Sequence, residues 1–389
     1  MSVQNCSPVA LAPCPDYRES ACRAAIAEIA EKCPVLHDIK AGTKVAVKVN
    51  LITLMKPEKA GTTHPALLTA LVEYLHAQGA EVVIGDSPGG TYNKAYLEGV
   101  YRATGMTDAA KAGAELNWDF TVKTAQFPKA AAAKEFEYTA YLDNADLIIN
   151  FCKLKTHGMM TMSCAVKNMF GTIPGLTKPA YHYRFPDYAS FADMLIDLNE
   201  YFQPALNIVD AVIGMEGNGP TAGTPRQVGA VLASESPYAL DLVCAKLIGL
   251  TAKDIPTLSA AAARGLAPES AEEITVLGDI APFLIPDYKT AAVEQEMELF
   301  VSMDNAFGRF ANSAVKRILA VRPMLKSDQC VGCGKCAGLC PAHAITMQRG
   351  KPKIERKTCI RCFCCQEFCP AGALEARRSR LGNMILKKK

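Results

Sequence analysis

Two cysteine runs near the end of the chain limit its fold more than any other stretch. Cys330 to Pro341 reads CVGCGKCAGLCP and Cys359 to Pro370 reads CIRCFCCQEFCP. Each is C-x2-C-x2-C-x3-C-P, and the second repeats the first at an offset of 29 residues, down to the short apolar tails Ala344-Ile345 and Ala373-Leu374. Two-residue spacing lets three thiolates converge on one centre from a tight loop. The x3-C-P step carries the fourth sulfur away, and the proline stops the turn.

These runs resemble the ligand runs of bacterial two-cluster ferredoxins. The resemblance implies two [4Fe-4S] clusters, one held by Cys330, Cys333, Cys336 and Cys369, the other by Cys359, Cys362, Cys365 and Cys340. A pair of zinc knuckles is the competing reading, because thiolates also suit tetrahedral zinc. Zinc takes four ligands per ion and gains nothing from an interlocked fourth cysteine. Cys364 is a ninth cysteine within the runs, either a spare thiol facing away from the cube or a competitor of Cys365.

At 389 residues the chain exceeds one ordinary domain. We expect an α/β domain over residues 1–320 with its core at about 40–280, a ferredoxin-like domain over 321–377 and a basic tail over 378–389. No apolar run reaches bilayer length, and the first thirty residues lack the pattern of a secretory signal. Of 16 cysteines, eight belong to oxidant-sensitive clusters and the rest are irregularly spaced, so a reducing cytoplasm is expected. Residues 321–389 hold 15 basic and 4 acidic residues, residues 1–320 hold 27 and 35. The basic end suits an acidic redox partner such as a ferredoxin, flavodoxin or reductase, or docking on the acidic N-terminal part. Its basic residues are not interleaved with aromatics, so neither nucleic acid nor a membrane is an expected partner.

Strand and helix patterns alternate through the first part. The apolar runs Val45–Leu51, Asp146–Phe151, Ala205–Gly214 and Gln227–Ser234, together with EVVIG before Asp86, read as buried strands. HPALLTALVEYLHAQG, a stretch from about Tyr92 to Thr104 and PYALDLVCAKLIG read as helices, as does Thr290–Val321. This pattern predicts a largely parallel, Rossmann-like sheet covered by helices, with its ligand site beyond the carboxyl ends of the strands.

Past the strand expected to end at Phe151 comes KLKTHGMMTMSCAVKNMFGTIPGLTKPAYHYRF, Lys153 to Phe185. Lys153, Lys155, His157, Ser163, Lys167, Asn168, Lys178, His182 and Arg184 make a cationic, hydrogen-bonding stretch with almost no acidic counterweight before Asp187. That composition suits an anionic small molecule. His157 and His182 are candidates for acid-base work, and Lys167, among apolar neighbours, for a nucleophile or covalent anchor. The turn GDSPGG, with Asp86 and Ser87, is positioned to offer backbone N–H groups to an anion, and the loop Met215–Pro225 is the other Gly-rich candidate.

VAVKVNL, GDSPGG, the K-x-K-T-H and S-x-A-V-K-N-x-x-G blocks and DAVIGMEGNGP together resemble the family called domain of unknown function 362, often fused to a two-cluster ferredoxin module. The order His157, Lys167, Pro174-Gly175, His182 is similar to that of the nickel-pincer lactate racemases. That similarity implies Lys167 as the anchor of a pyridinium-derived cofactor and the two histidines as proton-handling or metal-binding groups; the cysteine-rich end departs from the racemase pattern. The resulting expectation is an iron-sulfur oxidoreductase passing electrons to a ligand in the α/β domain. A cofactor or metal-centre assembly protein and a plain electron carrier are the alternatives.

Overall fold

The computed structural model describes residues 7–290 and 320–378. The apolar runs of the first part become β1 (Val9–Pro13), β2 (Lys44–Lys48), β3 (Glu81–Gly85), β4 (Ala114–Leu116), a hairpin of β5 (Val122–Gln126) and β6 (Glu135–Thr139), β7 (Leu147–His157), β8 (Thr161–Ser163), β9 (Leu206–Glu216), β10 (Thr224–Ser234) and β11 (Val276–Leu277). All but the hairpin join one nine-stranded sheet in the order β11-β1-β10-β9-β7-β2-β3-β4, with β8 beside β7. β9, β7, β2, β3 and β4 are mutually parallel, as expected. β10 instead runs against both β9 and β1, because residues 217–223 are too few for a crossover and return the chain alongside itself. β1 lies in a segment where the sequence shows only scattered cysteines; four of its five residues are buried.

Helices cover both faces. On one, Pro65–Ala77 buries Leu67, Leu68, Leu71, Val72 and Leu75 against Val45, Val47 and Phe151. His64 caps this helix by accepting from Ala66 N–H at 3.2 Å. The helix expected from about Tyr92 begins at Lys94, where Asn93 accepts from Tyr96 N–H at 3.0 Å. On the other face Pro237–Leu247 packs on Cys152, Leu154 and Val209. The expected helix Thr290–Val321 falls mostly outside the described residues, and no helix among the described residues is long and apolar enough to cross a bilayer.

β7 differs most from expectation. It does not end at Phe151 but continues through Lys153, Lys155 and His157, paired with β9 and β8. The register also aligns Lys48, Asn150, Asn207 and Ser234 across four neighbouring strands, a polar row level with the carboxyl end of β2.

The cysteine-rich part is a two-fold repeat in three dimensions. β12 (Arg322–Leu325) and β13 (Ile345–Gln348) recur 29 residues later as β14 (Lys351–Ile354) and β15 (Leu374–Arg377), and each half pairs with the other, β12 with β15 and β13 with β14. The left-handed backbone positions recur too: Gly332 and Arg361, Gly334 and Phe363, His343 and Gly372. Phe363 holds this conformation, at φ 61°, because its ring is buried in one cluster with Met159, Met160 and Val166 of the α/β domain. Phe363→Ala should therefore destabilise the protein by about 3 kcal/mol in urea titration. Phe363→Gly should cost about 1 kcal/mol less than Ala, the reverse of their usual order, since glycine removes the backbone strain.

Candidate functional site

At the carboxyl ends of β2, β3 and β7 lies a cleft of about 650 Å³, partly open to solvent. Lys48, Asn50 and Asn168 form its floor; Asp86, Ser87, Lys155, Ser163, Lys167, Phe170, Lys178 and His182 line it. Its remaining wall comes from Pro220 and from Glu367 and Phe368 of the second cysteine run. Gly89 allows this approach, since a Cβ there would stand 2.3 Å from the Phe368 ring.

Lys48, in the middle of an apolar strand, is fully buried and paired with Asp86 at 2.7 Å. Burial lowers its pKa and Asp86 opposes the fall. Asn168 accepts from Lys48 Nζ at 3.2 Å and from Asn50 Nδ2 at 2.7 Å, and donates to Asn150 Oδ1 at 2.7 Å; Asn150 in turn donates to Asn207 Oδ1 at 2.8 Å. The other lysines have no carboxylate among their hydrogen-bond partners. Lys155 donates to Asn50 Oδ1 and, at 2.8 Å, to Gly61 O; burial, reinforced by Lys167, drives its pKa well down. Lys178 donates to the carbonyls of Ser87 and Ile173, both at 2.5 Å, and burial lowers it to about 7. Lys167 lies 5.5 Å from the centre of the Phe170 ring; burial lowers its pKa against the pull of Glu367 and Cys364.

His157 accepts from the N–H groups of Met159 and Met160 through Nδ1, both at 3.0 Å. Its proton therefore sits on Nε2, which is 2.7 Å from Glu367 Oε1. Burial, then Lys167, lowers His157 to about 4. Burial opposes ionisation of Glu367, but His157 and Lys167 together hold it below the usual carboxylate range. His182 stacks on Phe191 at 4.3 Å, its buried Nδ1 has no hydrogen bond, and burial lowers it to about 3.

Several expectations need correction. The cationic stretch does have acidic counterweights, Asp86 and Glu367, which the fold imports from distant segments. Lys153 does not line the cleft: β7 directs it to Asp210 at 2.9 Å and to Tyr17 OH at 2.5 Å, beside the Tyr17–His64 stack. Arg184 turns to Glu135 O. Two amides of GDSPGG are committed within the protein, Ser87 N to Gly171 O and Gly89 N to Ile52 O. Of the Met215–Pro225 loop, Pro220 reaches the cleft, while Asn218 and Gly219 accept from Gln366 Nε2 at 2.7 and 3.0 Å. Lys48, Asn50, Phe170, Glu367 and Phe368 were not singled out in the sequence. Lys48 interrupts VAVKVNL, and Glu367 stands where the first run has Gly338; both were readable signals.

Cys330, Cys333, Cys336 and Cys369 line a hollow of about 350 Å³. Burial and then Cys369 and Cys333 raise Cys336; burial and then Cys362 and Cys340 act in the same direction on Cys359. Cys336, Cys369 and Cys333 thus lie near one another, as do Cys359, Cys362 and Cys340. Ala344 N–H donates to Cys340 Sγ at 3.3 Å and Ala373 N–H to Cys369 Sγ at 3.2 Å, matched bonds at the two crossing cysteines. Among the described residues no three His, Cys, Asp or Glu side chains converge as a single metal ion requires. Cys364 is buried, and bonding to the Cys362 thiol and then burial raise its pKa.

His64, His157 and His182 fold as neutral groups, with pKa values lowered by burial to about 4, 4 and 3. In the unfolded chain each takes up a proton as pH falls through about 6.5, so stability declines from pH 7.5 to 5.5 by about 1.4 kcal/mol per histidine. His182→Leu should remove about one such share from the pH dependence of the urea midpoint; an unaltered dependence would show that His182 is not buried neutral.

Residues 322–370 match the 4Fe-4S dicluster domain, which gives the chain the capacity for iron-sulfur electron transfer. A thylakoid-associated protein of Synechocystis sp. is 31% identical over 262 residues, covering 66% of this chain and 78% of the relative. Lactate racemase apoprotein from Thermoanaerobacterium thermosaccharolyticum superposes with a TM-score of 0.37 at 11% identity, over 61% of this chain and 56% of that one. This chain thus spans a little over half of the racemase. Residues 45–246, which supply most of the cleft, match the family described as Domain of unknown function (DUF362), and the chain belongs to that family.

Proposed function

We propose that the protein is an iron-sulfur oxidoreductase that exchanges electrons with an anionic small molecule held in the cleft. The observation that carries this reading is that the second cysteine run itself forms a wall of the lysine-lined cleft, through Glu367 and Phe368. In this reading Cys330, Cys333, Cys336 and Cys369 hold one [4Fe-4S] cluster, and Cys359, Cys362, Cys365 and Cys340 the other. When bound, such clusters supply single electrons. A reducing compartment such as the cytoplasm suits them.

The chain's own residues do the rest. Lys155, Lys167 and Lys178 attract a carboxylate or phosphate, because each is desolvated and lacks a carboxylate among its hydrogen-bond partners. Phe170 and Phe368 exclude water beside it. Lys167, with a lowered pKa, and the unpartnered Nδ1 of His182 are placed to give or take a proton as the ligand changes charge. The backbone N–H groups at Nδ1 leave the proton of His157 on Nε2, which faces Glu367.

Protein purified without oxygen should be brown and carry about eight irons per chain. Native mass spectrometry should find a co-purifying anion that Lys167→Ala loses while retaining iron. A zinc-loaded, colourless protein would overturn the redox reading. Iron-loaded protein whose cluster oxidation and reduction ignore Lys167→Ala would reduce it to a plain carrier.

A further inference from the structure

The two halves of the cysteine repeat share a backbone but meet different surroundings. In the second half Cys362, Phe363, Cys364, Cys365 and Gln366 are all buried, Phe363 and Gln366 against the α/β domain. In the first half the matching loop faces outward: Val331 is 71% exposed, and Cys333 and Lys335 are exposed. Gly334 and Lys335 stand where the second half has Phe363 and Cys364. The second cysteine loop thus abuts the cleft, and the first, with its hollow, abuts solvent.

The outer hollow has the composition of a docking face. Val331 and the exposed Met347, which both line it, give it an apolar centre. Around them, residues 321–354 contain six basic residues and a single acidic one, Asp328. A Cβ on Gly332 would stand 2.8 Å from Gly350 O, so the hairpin tip bearing Arg349 lies against the cysteine loop. Lys351 is fixed there, donating to Cys330 O at 2.7 Å and Ser327 O at 2.9 Å. An apolar centre with a basic rim fits an acidic protein surface better than the uniform charge of a polyanion.

Resting on the oxidoreductase reading, we infer that the face formed by Val331, Lys335, Met347, Arg349 and Lys351 docks a small acidic one-electron carrier protein. Electrons enter at the outer hollow and leave through the second cysteine loop, past Cys364 and Glu367, to the cleft. Each transfer is balanced: the carrier is oxidised by one electron, and the chain's cluster centre beside this face is reduced by one.

The test uses full-length protein purified without oxygen and an acidic ferredoxin reduced with dithionite. Stopped-flow absorbance should show a second-order rate of electron uptake that falls about tenfold or more between 50 and 300 mM salt. Val331→Asp and the pair Lys335→Glu, Arg349→Glu should lower that rate about tenfold at low salt, while leaving iron content and direct dithionite reduction unchanged. Lys111→Glu, on the far α/β surface, should have no effect. Carbodiimide cross-linking of the unaltered protein should join ferredoxin carboxylates to Lys335 or Lys353. Cross-links confined to the α/β domain, or rates indifferent to salt, would overturn the inference even if cleft-dependent oxidation persisted. So would binding to phosphatidylglycerol vesicles that Val331→Asp abolishes, with no electron uptake from the carrier. Normal uptake at this face without any effect of Lys167→Ala on reoxidation would keep the docking face and sink the oxidoreductase reading.

Discussion

An ammonium group taken out of water needs a compensating anion, a set of oriented dipoles, or loss of its proton, and the cleft confronts four lysines with that choice. Lys48 takes the first solution, with Asp86 at 2.7 Å. Lys178 takes the second and, with a pKa of about 7, part of the third. Lys155 is left with an amide and a carbonyl, Lys167 with an aromatic face. Against four lysines stand two carboxylates, and Glu367 is already committed to His157. On the function proposed above, negative charge from outside completes the cleft, and its depth makes that attraction stronger than any exposed lysine cluster would provide.

The same wall that limits the cleft ties it to the cysteine repeat. A symmetric repeat would have presented Gly338 where Glu367 is, and Lys335 where Cys364 is. Those replacements turn one half into a surface that buries Phe363, hands Gln366 to Asn218 and Gly219, and sends Glu367 to His157. Burial of an aromatic ring stabilises the junction by a few kcal/mol, and the Gln366 bonds fix its register. The unchanged half keeps its glycines and its exposure. Divergence between the halves is where the repeat acquired two directions.

Much of this was legible in the chain. The strand-helix alternation gave the sheet, the cysteine spacing gave the repeat, and Lys155, Ser163, Lys167, Asn168, His182, Asp86 and Ser87 do line one cleft. What the sequence hid depends on pairing between distant strands. Lys153 and Lys155 read alike, yet one meets Asp210 on β9 and the other meets Asn50, because the β7–β9 register shifts between them. β10 reads as one more buried strand, and its reversal is set only by the short connection after β9. Glu367 could be noticed as the acidic residue between two cysteines, but its contact with His157 spans 210 residues, and no local pattern announces it.

The amides beneath the cleft explain why its charge stays unbalanced. Asn50, Asn168, Asn150 and Asn207 pass hydrogen bonds along from Lys48 to the centre of the sheet, each side chain both donating and accepting. Aspartates at these positions would accept as well, but they would add negative charge beside Lys155 and Lys48 and could not donate onward. The sheet's polar row therefore orients the cleft floor without neutralising it. An amide ladder set across parallel strands is rigid because each member's rotamer is fixed by two neighbours, so the lysines are presented in place before any ligand arrives. On the function proposed above, preorganised charge of this kind holds a small anion where the iron-sulfur domain already touches it.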